Sequence, residues 1–331
     1  MSEKSTNIEN RKEILFLYDA KDCDPNGDPF TGEPRYDEAV QKVMVSDVRI
    51  KRYIRDYIDH HYSDENDEKI PEKDKNRIVF YSSLGDTQTV GGRRDSLADI
   101  VEKNSVDDIK QKCIDIRLFG CVLAEKGDNI NLTGTVQFKN LNRSLNKVEL
   151  EILQNTSIMK SKEEHEQGAI ATASIVPYAL ISIIGYVNPK TAESNLTKEK
   201  DIKLMLKSLW DQINIVNTRS KTGQTSRLLI ILEYEDAISK VSDFENSIKL
   251  KEEKKNNLKY RTFEEIEKDI DYDNFIKRMK DNERIISKIK YHFDESIECK
   301  NTKDFIKDLK ELGSKKEINF IVEKIDFSSI E

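Results

Sequence analysis

The sequence has little cysteine, proline and glycine, and it has no long apolar run. Four cysteines, six prolines and 12 glycines occur in 331 residues, and no two cysteines form a CxxC pair. These counts exclude a collagen-like chain and a disulfide-rich scaffold, and they argue against a structural zinc site. No run of about 18 apolar residues exists, so we expect no membrane span. The N-terminal segment is polar and lacks the apolar core of a signal peptide, so we expect a cytoplasmic protein.

Charge is plentiful but is not predominantly positive. The chain is 37% hydrophobic and 35% charged, with a formal net charge of −7. Nucleic-acid-binding domains are typically basic, so the total charge does not indicate one. Residues 42–55, however, hold five Lys or Arg side chains against the single acid Asp47, a local net charge of five minus one, or +4. Positive charge is therefore concentrated in one segment.

The hydrophobic pattern predicts alternating strands and helices. We expect strands at 13–21, 129–139, 148–152, 175–187, 227–234 and 285–293. We expect helices at 46–62, 106–123, 198–215 and 302–312, and a charged, mostly helical segment at 244–281. We expect an ordered loop at 22–34, a mobile charged connection at 63–76 and a basic flexible loop at 85–95. The order strand, helix, strands, helix, strand is compatible with an α+β fold of the βαββαβ, ferredoxin-like kind.

The segment from Asp22 to Glu33 matches the calcium-loop pattern DxDxNG followed five residues later by Glu. An EF-hand needs a helix on each side, whereas a strand pattern precedes this loop and Pro34 follows it. Two other readings remain open: a tight turn rigidified by proline, and a loop that presents backbone amides to a ligand. Asn26-Gly27 suits a chain reversal with positive φ.

Three groups of basic residues are candidates for phosphate contact. Arg49, Lys51, Arg52 and Arg55 can share one broad stripe of a helix, which forms either a solvated face or a row of phosphate partners. Arg93-Arg94 follows two glycines and forms either a surface loop or a contact to a phosphate backbone. The loop from Arg219 to Lys221 can bind an anion.

Catalytic motifs are absent. The sequence contains no GxSxG, HExxH, GxGxxG or GxxxxGK[ST] pattern, and its four histidines are not paired with acids at metal-ligand spacings. Asp115 and Arg117 fit an ion pair on a helix better than an acid–base pair. We therefore expect no catalytic residue, no metal and no cofactor.

Seven blocks of the sequence, taken in order, form a recognisable pattern. The blocks are PNGDP (25–29), PRYDE (34–38), VSDVRIKRYIRDY (45–57), DIRLFG (115–120), GTVQF (134–138), VPYALISIIGYVN (176–188) and NTRSKTGQ (217–224). In this order and spacing they resemble the backbone subunit of type I Cascade complexes, in the CRISPR-associated superfamily numbered seven, closest to subtypes I-B and I-C. The resemblance spans residues 14–234, and no block matches after Tyr234.

The resemblance implies a right-hand-like protein whose palm is an RRM-like sheet carrying a thumb and helical fingers. Residues 1–331 then form one elaborated domain. Within it, 63–105 is a finger-like insertion, 154–174 the thumb, and 241–284 a charged helical insertion or extension. The sequence lacks the RNP1 aromatic pattern of ordinary RRM proteins, so we do not expect bases to stack on the sheet face.

The resemblance also implies a non-catalytic scaffold that oligomerises along CRISPR RNA in antiviral defence and presents the guide for pairing with target DNA. Such a protein binds RNA by backbone, 2′-OH and shape. The implied partners are CRISPR RNA, target DNA, other copies of the chain, and the large, five-family and guide-processing subunits of Cascade. The alternative is a metal-dependent ribonuclease acting on guide or target RNA through Asp22, Asp24 and Asp28.

The matched motifs and the basic loops together give a set of expected RNA contacts. The thumb residues are expected to lie beside a displaced base, and Ser46 is expected to cap a helix whose N-terminus adds amide donors. The expected RNA-binding residues are Asn26, Gly27, Arg35, Ser46, Arg49, Lys51, Arg52, Arg93, Arg94, Arg219 and Lys221. The expected thumb residues are Met159, Lys160 and His165.

Overall fold

The computed structural model describes residues 6–71, 74–83, 89–102, 105–125, 128–156, 170–296, 299–328 and 330. The strands are β1 (Lys12–Cys23), β2 (Tyr36–Asp37), β3 (Lys42–Ser46), β4 (Gly120–Glu125), β5 (Asp128–Thr133), β6 (Val136–Phe138), β7 (Leu141–Arg143), β8 (Glu151–Thr156), β9 (Ile170–Val187), β10 (Gln224–Tyr234), β11 (Lys249–Leu250), β12 (Ile270–Asp271), β13 (Ile286–Phe293) and β14 (Ile321–Lys324). The helices are α1 (Asp47–His61), α2 (Val90–Ser96), α3 (Val106–Lys112), α4 (Ile114–Phe119), α5 (Pro189–Asn195), α6 (Glu199–Ile215), α7 (Phe263–Glu267), α8 (Asp273–Asp281) and α9 (Lys300–Gly313).

The central sheet has the order β14-β13-β10-β1-β9-β6, and β8 pairs with the far end of β9. All these pairings are antiparallel except β13 with β14. In chain order, β1, α1, β6, β9, α6 and β10 alternate as strand, helix, strand, strand, helix, strand. Strand β1, the first of this unit, therefore lies between β9 and β10, which are its third and fourth strands. Strand β6, the second, lies at the edge of the unit.

The strand β1 is buried on both faces. Ile14, Phe16 and Tyr18 belong to the hydrophobic cluster on one face. Leu15 and Leu17 belong to the cluster on the other face. A strand with no solvent face carries a nearly continuous apolar run, and the segment ILFLY has this pattern.

The two faces are covered by different parts of the chain. Helices α1 and α6 cover the first face, with side chains such as Ile54 and Leu209 in its cluster. The chain after β10 covers the second face with side chains such as Phe244, Phe275 and Phe305. The segment beyond the matched motif blocks thus fills the second face of the sheet.

A third hydrophobic cluster lies away from the sheet. It joins Ile78 and Phe80 to Leu97, Ile109 and Leu123. The segment between α1 and β5 therefore has a small core of its own. None of the helices within the described ranges combines the length and the apolar character needed to cross a membrane.

The main strands and helices are confirmed, including the helix that begins after Ser46, but the predicted strand 129–139 is two strands, β5 and β6, which belong to different sheets. Four other predictions of secondary structure are wrong. Residues 90–96 of the predicted basic loop form a short helix. The predicted helix 106–123 is interrupted at Cys113 and ends at Phe119, because Gly120, with φ +75°, turns the chain into β4. The segment 244–281 contains only the short α7 and α8 as α-helices. The predicted strand at 148–152 begins only at Glu151.

The described part of the connection 63–76 is also more ordered than predicted. The carboxylate of Asp64 is buried and accepts hydrogen bonds from the backbone N–H groups of Asn76 and Arg77, each at 3.0 Å. One side chain therefore joins the beginning of this connection to its end.

Asp115 and Arg117 do not pair with each other as the sequence suggested. The fully buried carboxylate of Asp115 accepts from the N–H groups of Phe80 and Tyr81 and pairs with Arg55 at 3.0 Å. The guanidinium of Arg117 pairs with Asp201 of α6 at 3.0 Å. The DIRLFG block is therefore structural: it joins α4 to α1 and to α6.

Replacing Arg117 with Ala should destabilise the protein strongly. The change leaves the carboxylate of Asp201 buried without its cation, which costs about 3–5 kcal/mol in comparable sites. Urea unfolding of the full chain measures the loss. The control is Arg284→Ala, whose side chain is 89% exposed and should change the stability little. Equal stabilities for the two variants would contradict the structural role of Arg117.

Candidate nucleic-acid interface

A buried asparagine joins the loop after β1 to the start of α1. The Oδ1 atom of Asn26 accepts from the backbone N–H of Ser46 at 2.8 Å and from its hydroxyl at 2.9 Å. The Ser46 hydroxyl in turn accepts from the N–H of Arg49 at 3.3 Å, as an N-cap does. Asn26 is 8% exposed, so its side chain positions the helix rather than facing a ligand.

The loop from Asp22 to Pro34 is a turn that reverses the chain and is not an EF-hand. Strand β1 precedes it, β2 follows it, and Gly27 forms a β-bridge with Pro34. Positive φ occurs at Asp22 (51°) and Gly32 (72°), not at Asn26 or Gly27 as the sequence predicted. A Cβ at Gly27 would lie 2.7 Å from a carboxylate oxygen of Asp24, so a larger residue there requires that side chain to shift.

The loop between α6 and β10 packs against this turn. The ammonium of Lys221 donates to the backbone oxygen of Asp24 at 2.6 Å and lies 3.3 Å from its carboxylate. The N–H of Asp24 donates to the carbonyl of Ser220 at 2.8 Å. Burial lowers the pKa of Lys221, Asp24 raises it, and the neighbouring Arg49 lowers it again. Two predicted binding segments that are distant in sequence are thus adjacent.

Arg49 completes the cluster. Its guanidinium lies over the ring of Tyr53, 4.0 Å from the centroid. The Tyr53 hydroxyl is bonded to the amide of Gln224, which also donates to the carbonyl of Lys221 at 2.9 Å. Within the described part of the chain, Arg49 has no carboxylate partner. Its charge is therefore available to an anion.

Two further cations lie on the same loops. Arg219 is exposed and is without a carboxylate partner among the described residues. Arg35 is bound to Asp28 at 3.1 Å. We define the basic cluster as Arg35, Arg49, Arg219 and Lys221. Guanidinium groups suit phosphate oxygens because their donors form a planar fork.

The other cations of α1 are each paired with an acid. Lys51 pairs with Asp47 at 2.8 Å and Arg52 with Asp56 at 2.6 Å, both within the helix. Arg55 is bound to the buried Asp115. Arg52 retains 43% of its side-chain exposure, whereas Lys51 retains 15%. Helical spacing is sufficient for the two pairs at i,i+4, but it does not show the partner of Arg55, which lies 60 residues away in the sequence.

Arg93 and Arg94 are not in a loop. Arg93 is 8% exposed, binds both carboxylate oxygens of Glu65 at 2.7 and 2.6 Å, and donates to the carbonyls of Phe80 and Val79. Its guanidinium is used in holding this part of the chain together. Arg94 is half-buried on the same short helix. The geometry therefore leaves Arg93 out of the basic cluster.

The predicted thumb residues Met159, Lys160 and His165 lie outside the described residues. The described flanks are β8 and the first part of β9, which form a two-stranded arm. Ile152 and Leu153 on this arm are 68% and 45% exposed. The hydroxyl of Ser174 on the arm donates to Glu33 at 3.1 Å, so the arm contacts the loop after β1.

Tyr53 and Gln224 were not identified from the sequence as parts of this site. Tyr53 falls on the buried side of α1, so its apolar spacing indicated only core packing. Gln224 ends the NTRSKTGQ block. Because it is a polar residue at the start of a buried strand, the sequence could have identified it as a candidate for the site. Across the described ranges, no group of three or more His, Cys, Asp or Glu side chains could hold a metal ion.

The fold is that of chains from CRISPR RNA-guided surveillance complexes. One such chain has a TM-score of 0.50 and 13% identity, covering 88% of this chain and 92% of its own. A chain from a pre-nicking surveillance complex has a TM-score of 0.52 and 12% identity, covering 88% and 94%.

The sequence comparisons identify the family within that class. The CRISPR-associated protein Cas7 of Haloferax volcanii is 29% identical over 272 residues, covering 76% of this chain and 78% of its own. The model of the family CRISPR-associated protein Cas7 matches residues 10–271. The chain therefore belongs to the Cas7 family.

Replacing Asn26 with Ala should loosen the start of α1. The change leaves the buried N–H of Ser46 without an acceptor, which costs about 1–3 kcal/mol. Hydrogen exchange at the Ser46 amide should accelerate, and urea unfolding should shift to lower concentration. Asn257→Ala is the control, because the side-chain oxygen of Asn257 accepts from the N–H of Lys259 in a different part of the chain. Unchanged protection at Ser46 would show that Asn26 does not hold the helix.

Proposed function

We propose that this chain is a non-catalytic backbone subunit that binds CRISPR RNA in a type I Cascade surveillance complex. The observation that carries the proposal is the match to the Cas7 family along residues 10–271. The basic cluster supports it, because the cluster lies where the matched loop motifs meet. The proposed partners are CRISPR RNA, other copies of the chain, the other Cascade subunits, and target DNA through pairing with the guide.

We assign the parts of the hand as follows. The unit β10-β1-β9-β6 has the strand order of a ferredoxin-like, RRM-like sheet and forms the palm. The segment with its own small core, which includes residues 63–105, forms a finger. The arm of β8 and β9 leads into the thumb at 154–174. The chain at 241–284 covers the palm from behind.

The chemistry of the basic cluster favours contact with the RNA backbone. Guanidinium and ammonium groups bind phosphates of any sequence, and the sheet face that could read bases is covered. Sequence recognition then falls to pairing between the guide and its target, as in other RNA-guided effectors.

The alternative function, a metal-dependent ribonuclease, has less support. Asp24 is engaged by Lys221, and Asp28 by Arg35. These contacts direct the two carboxylates to cations of the chain and not to a shared point. Asp22 is the remaining one of the three aspartates and is exposed.

Co-purification tests the proposal directly. The chain is purified from cells that express a CRISPR array, with and without the other Cascade subunits, and the bound nucleic acid is extracted and sized. We expect RNA of the length of one spacer plus repeat in a large assembly. Protein free of RNA when all the subunits are present would contradict the proposal.

The double variant Arg49→Ala, Arg219→Ala should weaken binding of single-stranded RNA for all sequences alike. Loss of two phosphate contacts should also flatten the salt dependence, by about 0.7 in the log–log slope for each contact. Fluorescence anisotropy with labelled RNAs of unrelated sequence measures both effects. Lys51→Ala, Arg52→Ala should lose less, because both cations are already paired within α1.

The matched control for this variant is Arg284→Ala, Lys316→Ala, which removes two exposed cations elsewhere on the chain. It should bind RNA as the unmodified chain does. Loss of affinity for one RNA sequence only, or equal losses in the two double variants, would exclude a backbone-binding role for the basic cluster.

The ribonuclease alternative makes a separate prediction. Incubated with labelled guide or target RNA and Mg²⁺ or Mn²⁺, the purified chain should leave the RNA intact. Asp22→Ala is the diagnostic variant, because it changes an exposed acid that holds no cation in place. Cleavage by the unmodified chain that disappears in Asp22→Ala would favour the enzyme over the scaffold.

A further inference from the structure

One aromatic side chain stands out by its exposure. Phe30 is 96% exposed, the most of any large apolar residue among those described. It lies between Pro29 and Thr31 in a segment with no other apolar side chain from Gly27 to Glu33 apart from the prolyl ring. A ring in this position contributes nothing to the core.

The turn that carries Phe30 is held rigidly. The carboxylate of Asp28 accepts from the N–H of Phe30 at 2.9 Å and from that of Thr31 at 3.4 Å. The backbone of Asp28 bonds to Glu33 at 2.7 Å and to Gly32 at 2.8 Å. Few conformations are left to the backbone of the turn, so the point from which the Phe30 side chain projects is held in place. Rigid presentation lowers the entropy that a binding partner must offset.

The turn stands next to the basic cluster. Asp28, which holds the turn, is itself bound by Arg35. Asn26, four residues before Phe30, holds the start of the helix that carries Arg49. Glu33, three residues after Phe30, contacts the arm through Ser174. The exposed ring therefore projects from the same loop that connects the cations to the arm.

We propose that Phe30 is a stacking platform for one unpaired base of the RNA whose backbone the basic cluster binds. This inference rests on the proposed function and adds to it a base contact outside the covered sheet face. Proteins that bind single strands without sequence preference combine a positive groove with aromatic rings, because every base has a flat face. Phe30 has no polar atom, so it gives affinity and spacing without selecting a base.

The test compares three variants at Phe30 and one control variant of the full chain. Their binding to a fluorescein-labelled 40-nucleotide single-stranded RNA is measured by anisotropy over a range of salt concentrations. Phe30→Ala should weaken binding about 5- to 150-fold, the range for loss of one stacked base. The slope of affinity against salt should stay unchanged, since no phosphate contact is lost. Phe30→Trp should restore the affinity, and Phe30→Leu should not, because leucine has no flat face.

The matched control is Ile238→Ala. Ile238 is 80% exposed and follows an aspartate that accepts from its N–H, so it also projects from an Asp-held turn. It should bind RNA normally, and all the variants should melt as the unmodified chain does.

Three results would overturn the inference. If Phe30→Ala binds as tightly as the unmodified chain, the ring does not touch RNA, and the proposed function stands without it. If Phe30→Leu restores binding as well as Phe30→Trp, or if Phe30→Ala dissociates RNA-free oligomers in sedimentation, the ring fills an apolar pocket of a second copy. If the unmodified chain binds no RNA alone or with the other Cascade subunits, the proposed function fails as well.

Discussion

The arrangement of this protein depends on the burial of β1 on both faces. A strand with Leu15 and Leu17 on one side and Phe16 and Tyr18 on the other needs a layer on each side. Helices α1 and α6 supply one layer, and the chain after β10 supplies the other. Without that second layer, a wide apolar surface would face water, and such surfaces lead to association.

This constraint determines where a ligand can bind. Both faces of the sheet are occupied, so binding groups must lie on loops at its ends. The loop after β1, the start of α1 and the loop before β10 meet at one such end, connected through Asn26, Asp24 and Gln224. Arg49 and Lys221 in that place are 172 residues apart in the sequence (221 minus 49), and the antiparallel pairing of β1 with β10 helps to bring their segments together.

The fold could be predicted from the sequence where one signal dominates. The continuous apolar runs of β1, β9 and β10 and the Ser46 cap of α1 were sufficient to predict these elements. The short α2 was not predictable, because two glycines in sequence indicate a loop, whereas the bidentate pair of Arg93 with Glu65 stabilises a helix there. Whether such an ion pair outweighs the local preference depends on residues far apart in the sequence, so local helix propensity does not predict it.

Prediction of the site from the sequence has the same limit. Asn26, Ser46, Arg49 and Lys221 were predicted as one site and do lie together. Their individual roles could not be predicted, because a motif does not show whether a side chain faces a ligand or a neighbour. Arg55 illustrates this, since it is bound to the buried Asp115 of a distant segment.

The closeness of Arg49 to Lys221 has a consequence for assembly. Burial and then Arg49 lower the pKa of Lys221, whereas Asp24 raises it, so the two cations lie close enough to repel each other. Any anion that settles between them removes this repulsion, and binding to the folded form alone raises its stability by mass action. Under the proposed function, a copy that holds RNA resists unfolding better than an idle copy. Copies of the chain outside complexes would then unfold and be degraded first.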